Sequence, residues 1–93
     1  MKTHHLKSWP EFFEPMLSGA KPFELRKNDR DFQTGDILLL CEFDPNTETY
    51  TGREVKKRIT YVLRGLGSVG TIAPYKGLSM GYAILGITDE NSC

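Results

Sequence analysis

Gly19-Ala20-Lys21-Pro22-Phe23-Glu24-Leu25-Arg26-Lys27-Asn28-Asp29-Arg30 places a short alternating run behind a glycine–lysine–proline turn, and its reading governs the rest of the chain. As a strand over Phe23 to Lys27, alternation sends Phe23 and Leu25 to one face and Glu24 and Arg26 to the other. Phe23 and Leu25 then serve as core anchors. Glu24 and Arg26 remain on the second face, joined by Lys21 from the turn ahead of Pro22. Two cations against one carboxylate leave a surplus of positive charge, costly to desolvate unless an anion or polar ligand completes it. The functional reading is a recognition pocket for something phosphate-like or carbonyl-rich. The alternative is a structural ion-pair network, which also clusters charge.

Upstream, Thr3 to Lys7 reads as a first strand. Ser8-Trp9-Pro10-Glu11 then forms a capping box with proline in the first helical turn, opening a helix to about Ser18 that Gly19 closes in the left-handed conformation. Trp9, Phe12, Phe13, Met16 and Leu17 recur at helical spacing and are expected to face the core. Pro15 predicts a kink or a tightened last turn. Downstream, Asn28 to Gly35 is a polar turn containing Phe32. Asp36 to Phe43 is apolar on both sides, as a central strand requires, and Asp44-Pro45-Asn46-Thr47 supplies hairpin chemistry. The return strand runs from about Thr51 through Arg64, with Val55, Ile59, Tyr61 and Leu63 sharing a face with Lys57. That lysine is a snorkelling stem, the mark of a register-shifting bulge, or a group reaching into a pocket. A glycine-rich segment, Gly65 to Ser79, reads as a mobile loop or lid before a closing strand at Gly81 to Thr88. The expected class is α+β or mainly β: a small closed or partly open barrel of about five to six mostly antiparallel strands with one flanking helix.

At 93 residues the chain is expected to form one small domain, which excludes a two-domain enzyme. Its 12 basic and 12 acidic residues cancel, so no global field draws it to nucleic acid. The distribution is uneven. Arg53, Lys56, Lys57, Arg58 and Arg64 face Glu54 alone within that stretch, a basic stripe that reads either as a phosphate contact or as a solvated face. Cys41 and Cys93 suggest neither a disulfide nor metal-ligand spacing, which fits a reducing compartment and predicts no metal or other cofactor. Without an apolar signal core or an aliphatic run approaching the ~20 residues of a membrane helix, a cytoplasmic monomer away from the membrane is expected. Gly65-Leu66-Gly67-Ser68-Val69-Gly70 imitates a dinucleotide-binding fingerprint. Pro74 and Gly77 interrupt the helix it would have to open, so that reading fails. No Ser-His-Asp or Cys-His arrangement is present. His4 and His5 point to opposite faces, leaving His4 as a candidate for the charged pocket. Of the tyrosines, Tyr75 in the loop is the one expected to be free to stack on a base, and Tyr50, Tyr61 and Tyr82 are expected to pack.

Gly19-Ala20-Lys21-Pro22-Phe23-Glu24-Leu25-Arg26 fits the G-x-K-x-x-E-x-R signature of the ASCH domain, a PUA-like β-barrel family. Beyond that core the chain resembles a small bacterial and phage branch of ASCH-like proteins through His4-His5-Leu6-Lys7, Trp9-Pro10-Glu11-Phe12-Phe13, Arg26 to Gln33, Gly35 to Leu38, Tyr50 to Arg53, Thr60 to Leu63 and Gly81 to Leu85. The resemblance implies a single ASCH/PUA-like domain over residues 1–93, with a cleft lined by Lys21, Glu24 and Arg26. Because PUA-like domains commonly bind RNA, the implied function is a small RNA- or nucleotide-binding module. Lys21 and Arg26 would contact anions, Glu24 would orient Arg26 or accept from a base edge, and Asn28 and Arg30 would shape the rim. His4 and Arg53 complete the candidate ligand-binding set. A separate branch hydrolyses the acyl amide of a modified cytidine with a lysine, a threonine and a glutamate. Here Glu24 stands at that threonine's place, so no catalytic residue is assigned; an amidohydrolase would have to use Lys21 to polarise a carbonyl and Glu24 as base. A third reading is a phage or bacterial protein-interaction module working through the basic strand or the glycine-rich loop.

Overall fold

The apolar run from Ile37 becomes the strand around which the sheet is laid. In a computed structural model, which describes residues 1–67, 75–78 and 80–90, the elements are β1 (Thr3–Ser8), α1 (Pro10–Ser18), β2 (Phe23–Lys27), β3 (Ile37–Asp44), β4 (Thr49–Arg64) and β5 (Tyr82–Asp89). The strands form one five-stranded sheet in the order β1-β3-β4-β5-β2. β1 pairs with β3 in parallel, and the other three pairings are antiparallel. The sheet curls into a half-barrel, with α1 as the crossover between β1 and β2. The partly open, mostly antiparallel barrel with one helix is thus the observed architecture. Residues 68–74 and 79, which make up much of the loop read as a lid, lie outside the described residues, as does Cys93.

The concave face holds the core. Leu6 on β1, Leu38 and Leu40 on β3, Ile59 on β4 and Ala83, Leu85 and Ile87 on β5 close over Met16 of α1 and Phe32 of the connection after β2. The hairpin behaves as its residues suggest: Asp44 Oδ1 accepts from the Asn46 amide at 2.8 Å, an Asx turn that reverses β3 into β4. Gly19 takes φ 86 at the end of α1, and its N–H reaches the Met16 carbonyl at 3.4 Å, the tightened last turn expected after Pro15.

In three elements, local expectations give way to tertiary constraints. The capping box does not form. Ser8 is still a strand residue, buried opposite Glu42 of β3, so Trp9 becomes the extended N-cap and offers no side-chain bond. Of the helix's apolar residues only Phe13 and Met16 are buried, whereas Trp9, Phe12 and Leu17 are about half exposed. A nine-residue helix laid across a curved sheet covers it along one narrow stripe.

The second correction concerns β2. Its register places Glu24 opposite Leu85 and Leu25 opposite Ile84. Antiparallel partners share a face, and β5 commits Ala83, Leu85 and Ile87 to the interior. Glu24 is therefore drawn inward and buried, while Phe23 and Leu25, the expected anchors, stand 44% and 50% exposed on the convex face.

The third lies in β4, where the pairing with β5 slips between Ile59 and Tyr61. The extra residue, Thr60, turns every following side chain over. Ile59 and Val62 both reach the core, while Tyr61, expected on the core face, is 64% exposed. Gly86 sits beneath this bulge. A Cβ there would lie 3.2 Å from Thr60 Oγ1 and 3.5 Å from Tyr61 Cβ, a tight fit that glycine relieves. Lys57 lies on the core face between Leu38 and Asp89. Its side chain is buried at 5% exposure and its ammonium is taken up by the Asp89 carboxylate, which is itself exposed.

Candidate functional site: two grooves meeting at the barrel seam

The two edge strands, β1 and β2, face one another across the open side of the barrel, and side chains bridge them. Arg26 donates through one terminal nitrogen to the Lys7 carbonyl, and Arg30 Nη1 donates to the His5 carbonyl at 2.9 Å. β1 pairs with β3 along its other side, so the carbonyls taken by these arginines belong to its open edge.

Glu24 holds the seam from inside. Its Oε2 accepts from Arg26 Nε at 2.6 Å and its Oε1 from Lys21 Nζ at 3.3 Å. The carboxylate is sealed at 5% exposure, but Lys21 and Arg26 keep 21% and 27% of their side chains open. One buried negative charge thus serves two rim cations, and the positive surplus read from the sequence survives in three dimensions.

Two grooves share this rim. The first, about 540 Å³, has Lys21, Glu24 and Arg26 on one wall and Trp9, Phe12, Phe23 and Tyr82 among its other lining residues. Trp9 and Phe12 stack with ring centroids 6.5 Å apart, and the Lys21 ammonium lies 5.1 Å from the Phe12 ring centre and 5.6 Å from that of Phe23. The second, about 590 Å³, lies beyond Lys7 and is lined by His5, Lys7, Arg26, Arg30, Tyr50 and Arg53, among others. Lys7 and Arg26 border both.

The remaining candidates divide by what they touch. His4 is buried on the concave face, edge-on to Phe32 and 2.8 Å from Asp36 Oδ2, so it belongs to the core and not to the rim. Burial pushes the Asp36 carboxyl up, but bonds from His4 and from the Lys2 and Gln33 amides outweigh this and hold it below its ordinary value. Asn28 is buried and shapes the turn, its Oδ1 accepting from the Phe32 amide at 3.2 Å. Arg53 reaches the second groove already committed: it pairs with Glu42 at 2.9 Å, bonds Glu14 of α1 and lies over the Phe13 ring. Bonds from Arg53 and Thr51 pull the Glu42 carboxyl down to about 2. Arg53 is therefore a clamp between helix and sheet that also forms a wall. Arg30 is a rim cation that stays largely open, 47% exposed, bonded to the His5 carbonyl and 3.8 Å from Asp29.

The basic stripe of β4 is dispersed. Arg58 bonds Glu90 and the Gly35 carbonyl, Arg64 donates to the Phe32 carbonyl, and Lys57 pairs with Asp89. Cys41 lies in the second groove, where burial, with Glu54 nearby, pushes its thiol above the ordinary value. Among the described residues no cluster of histidine, cysteine and acidic groups is arranged to hold a metal ion, and no helix is long and apolar enough to cross a membrane.

The aromatic wall escaped the sequence reading because Trp9, Phe12, Phe23 and Tyr82 carry the signature of packing residues. The signal that could have exposed Phe23 was the neighbouring strand: with Ala83, Leu85 and Ile87 inward, β2 can offer only one parity to the core.

A protein of Escherichia phage P2, described as an uncharacterised 12.9 kDa protein in the GpA 3′ region, is 41% identical over 61 residues. The match takes in 66% of this chain and 54% of that protein, so the chain aligns with only about half the length of its relative. A family model described as a domain of unknown function, DUF3850, matches residues 3–87, from the start of β1 to Ile87 in β5, and so takes in every residue of the seam and of both grooves. On that match, the chain belongs to the DUF3850 family.

Proposed function

We propose that the protein is a small RNA- or nucleotide-binding module, acting as a cytoplasmic monomer, that stacks a base in the aromatic groove and contacts its phosphate with Lys21 and Arg26. The observation that carries this is the coincidence of exposed rings and under-neutralised cations on one groove: Trp9, Phe12, Phe23 and Tyr82 share it with two cations served by a single carboxylate. Exposed aromatic faces beside a cationic rim suit single strands, because every base has a π-face while the phosphates answer the charge. The resemblance of the Lys21, Glu24 and Arg26 signature to the ASCH domain supports the same reading.

Hydrolysis is the weaker use of this site. A general base needs a carboxylate oxygen aimed at substrate, whereas both oxygens of Glu24 already accept from cations.

The sole tryptophan lies on the groove wall, so its fluorescence is the natural probe. Titration with oligouridylate should quench Trp9, with a log–log salt slope of about −2 to −4 for three to five phosphate contacts. Lys21→Met and Arg26→Met should each weaken binding and flatten that slope. Binding that is unchanged in both folded variants would refute the assignment.

A further inference from the structure

Resting on that reading, we infer that the second groove is the seat of the next nucleotide, so that the smallest full ligand is a single-stranded dinucleotide with its bridging phosphate at the seam. The two grooves are comparable in size, about 540 and 590 Å³, and each can admit a nucleotide. They are also contiguous, because Lys7 and Arg26 border both.

At that junction the positive charge is only partly neutralised. Lys7 forms no ion pair among the described residues, its ammonium lying 4.4 Å from the Phe43 ring centre. Arg30 bonds a neutral carbonyl, with its nearest carboxylate 3.8 Å away. A phosphodiester here meets Lys7, Arg26 and Arg30 together, and guanidinium groups suit its paired oxygens. Glu54 is the acid lining the groove, its Oε2 lying 4.0 Å from Cys41 Sγ.

Beyond the phosphate the groove offers a ring. Tyr50, expected to pack, is 56% exposed and held edge-on by Phe43 at 5.2 Å, a fixed surface on which a second base can stack. The start of β4, beside the convex side of β1 and β3, therefore supplies a second stacking station, with the seam cations between it and Trp9.

The test compares uridine monophosphate with the dinucleotide UpU, read by Trp9 fluorescence on wild type, Tyr50→Ala and Arg30→Gln, each shown folded by its thermal melt. UpU should bind wild type on the order of tenfold tighter or more, the worth of one further stacked base. Tyr50→Ala should bring UpU close to the monophosphate while leaving the monophosphate itself unchanged, and Arg30→Gln should weaken UpU more than it weakens the monophosphate. Equal affinity of the two ligands, or UpU binding indifferent to Tyr50, would overturn the second station and leave the first intact. If neither ligand binds, the nucleotide reading and this extension of it fail together.

Discussion

Replacing Glu24 by glutamine removes the one negative charge that two rim cations share, and its cost can be worked from the seam. The Arg26 bond, at 2.6 Å, is the strong one; the Lys21 contact, at 3.3 Å, is weaker. A hydrogen bond to a charged group contributes about 1.5–3 kcal/mol, and stranding a buried cation costs more. Here Lys21 and Arg26 retain 21% and 27% exposure, so water recovers part of the loss. Glu24→Gln should therefore destabilise the fold by about 2 kcal/mol, a fall in Tm of roughly 8–16 °C for a domain of this size. Thermal denaturation followed by circular dichroism, with urea midpoints alongside, measures it. Below both melting temperatures the same variant should bind uridine monophosphate as tightly as wild type or more tightly, because its cations have lost their internal counter-charge. A Tm change under about 2 °C would show that the network contributes nothing to the fold. Loss of binding in a folded variant would show that Glu24 touches the ligand itself, and would refute its role as a buried counter-ion.

Stability should drain in acid. Glu42 is held at about 2 against an ordinary 4.5, and a carboxyl lowered by folding stabilises above the ordinary value and loses that stabilisation as pH falls through the window towards 2. Urea midpoints between pH 6 and 2 should show this decline, with a shallower slope in Arg53→Met; an unchanged slope would exclude the clamp as its source. Core and convex face should separate equally plainly in urea at neutral pH. Phe32→Ala, at a fully buried ring, should cost about 3–5 kcal/mol, whereas Leu25→Ser, on the exposed side of β2, should stay below about 1 kcal/mol; comparable losses would mean that β2 presents its other face to the core.

The element order was legible because it rests on local signals that tertiary packing did not oppose. Gly19 could end the helix, Asp44 to Thr47 could turn the chain, and the run from Ile37 could only be a central strand. The face of each strand was another matter. Phe23 and Leu25 satisfy alternation as well outside as inside, and their parity was decided by β5, some sixty residues away in sequence. Tyr61 was displaced by one inserted residue, and nothing local to Thr60 announces it; Gly86, the glycine that makes room for it, is on a different strand. For the site, Lys21, Glu24 and Arg26 were brought together as their spacing implied, and Arg30 joined them at the rim. His4 and Asn28 were instead absorbed into core and turn, where a buried polar group finds its partners, and Arg53 was claimed by acids from α1 and β3 that are remote from it along the chain.

Arg26 and Arg30 fasten the two lips of the sheet with side chains where a sixth strand would have used its backbone. A lone sheet margin is a template on which a foreign strand can add itself, and the guanidinium clasp occupies carbonyls along β1 that such an intruder would need. Yet a clasp differs from a weld. An anion that outcompetes those carbonyls for the two arginines would loosen the lips in the act of docking, so capture of cargo and local relaxation of the sheet would become one event.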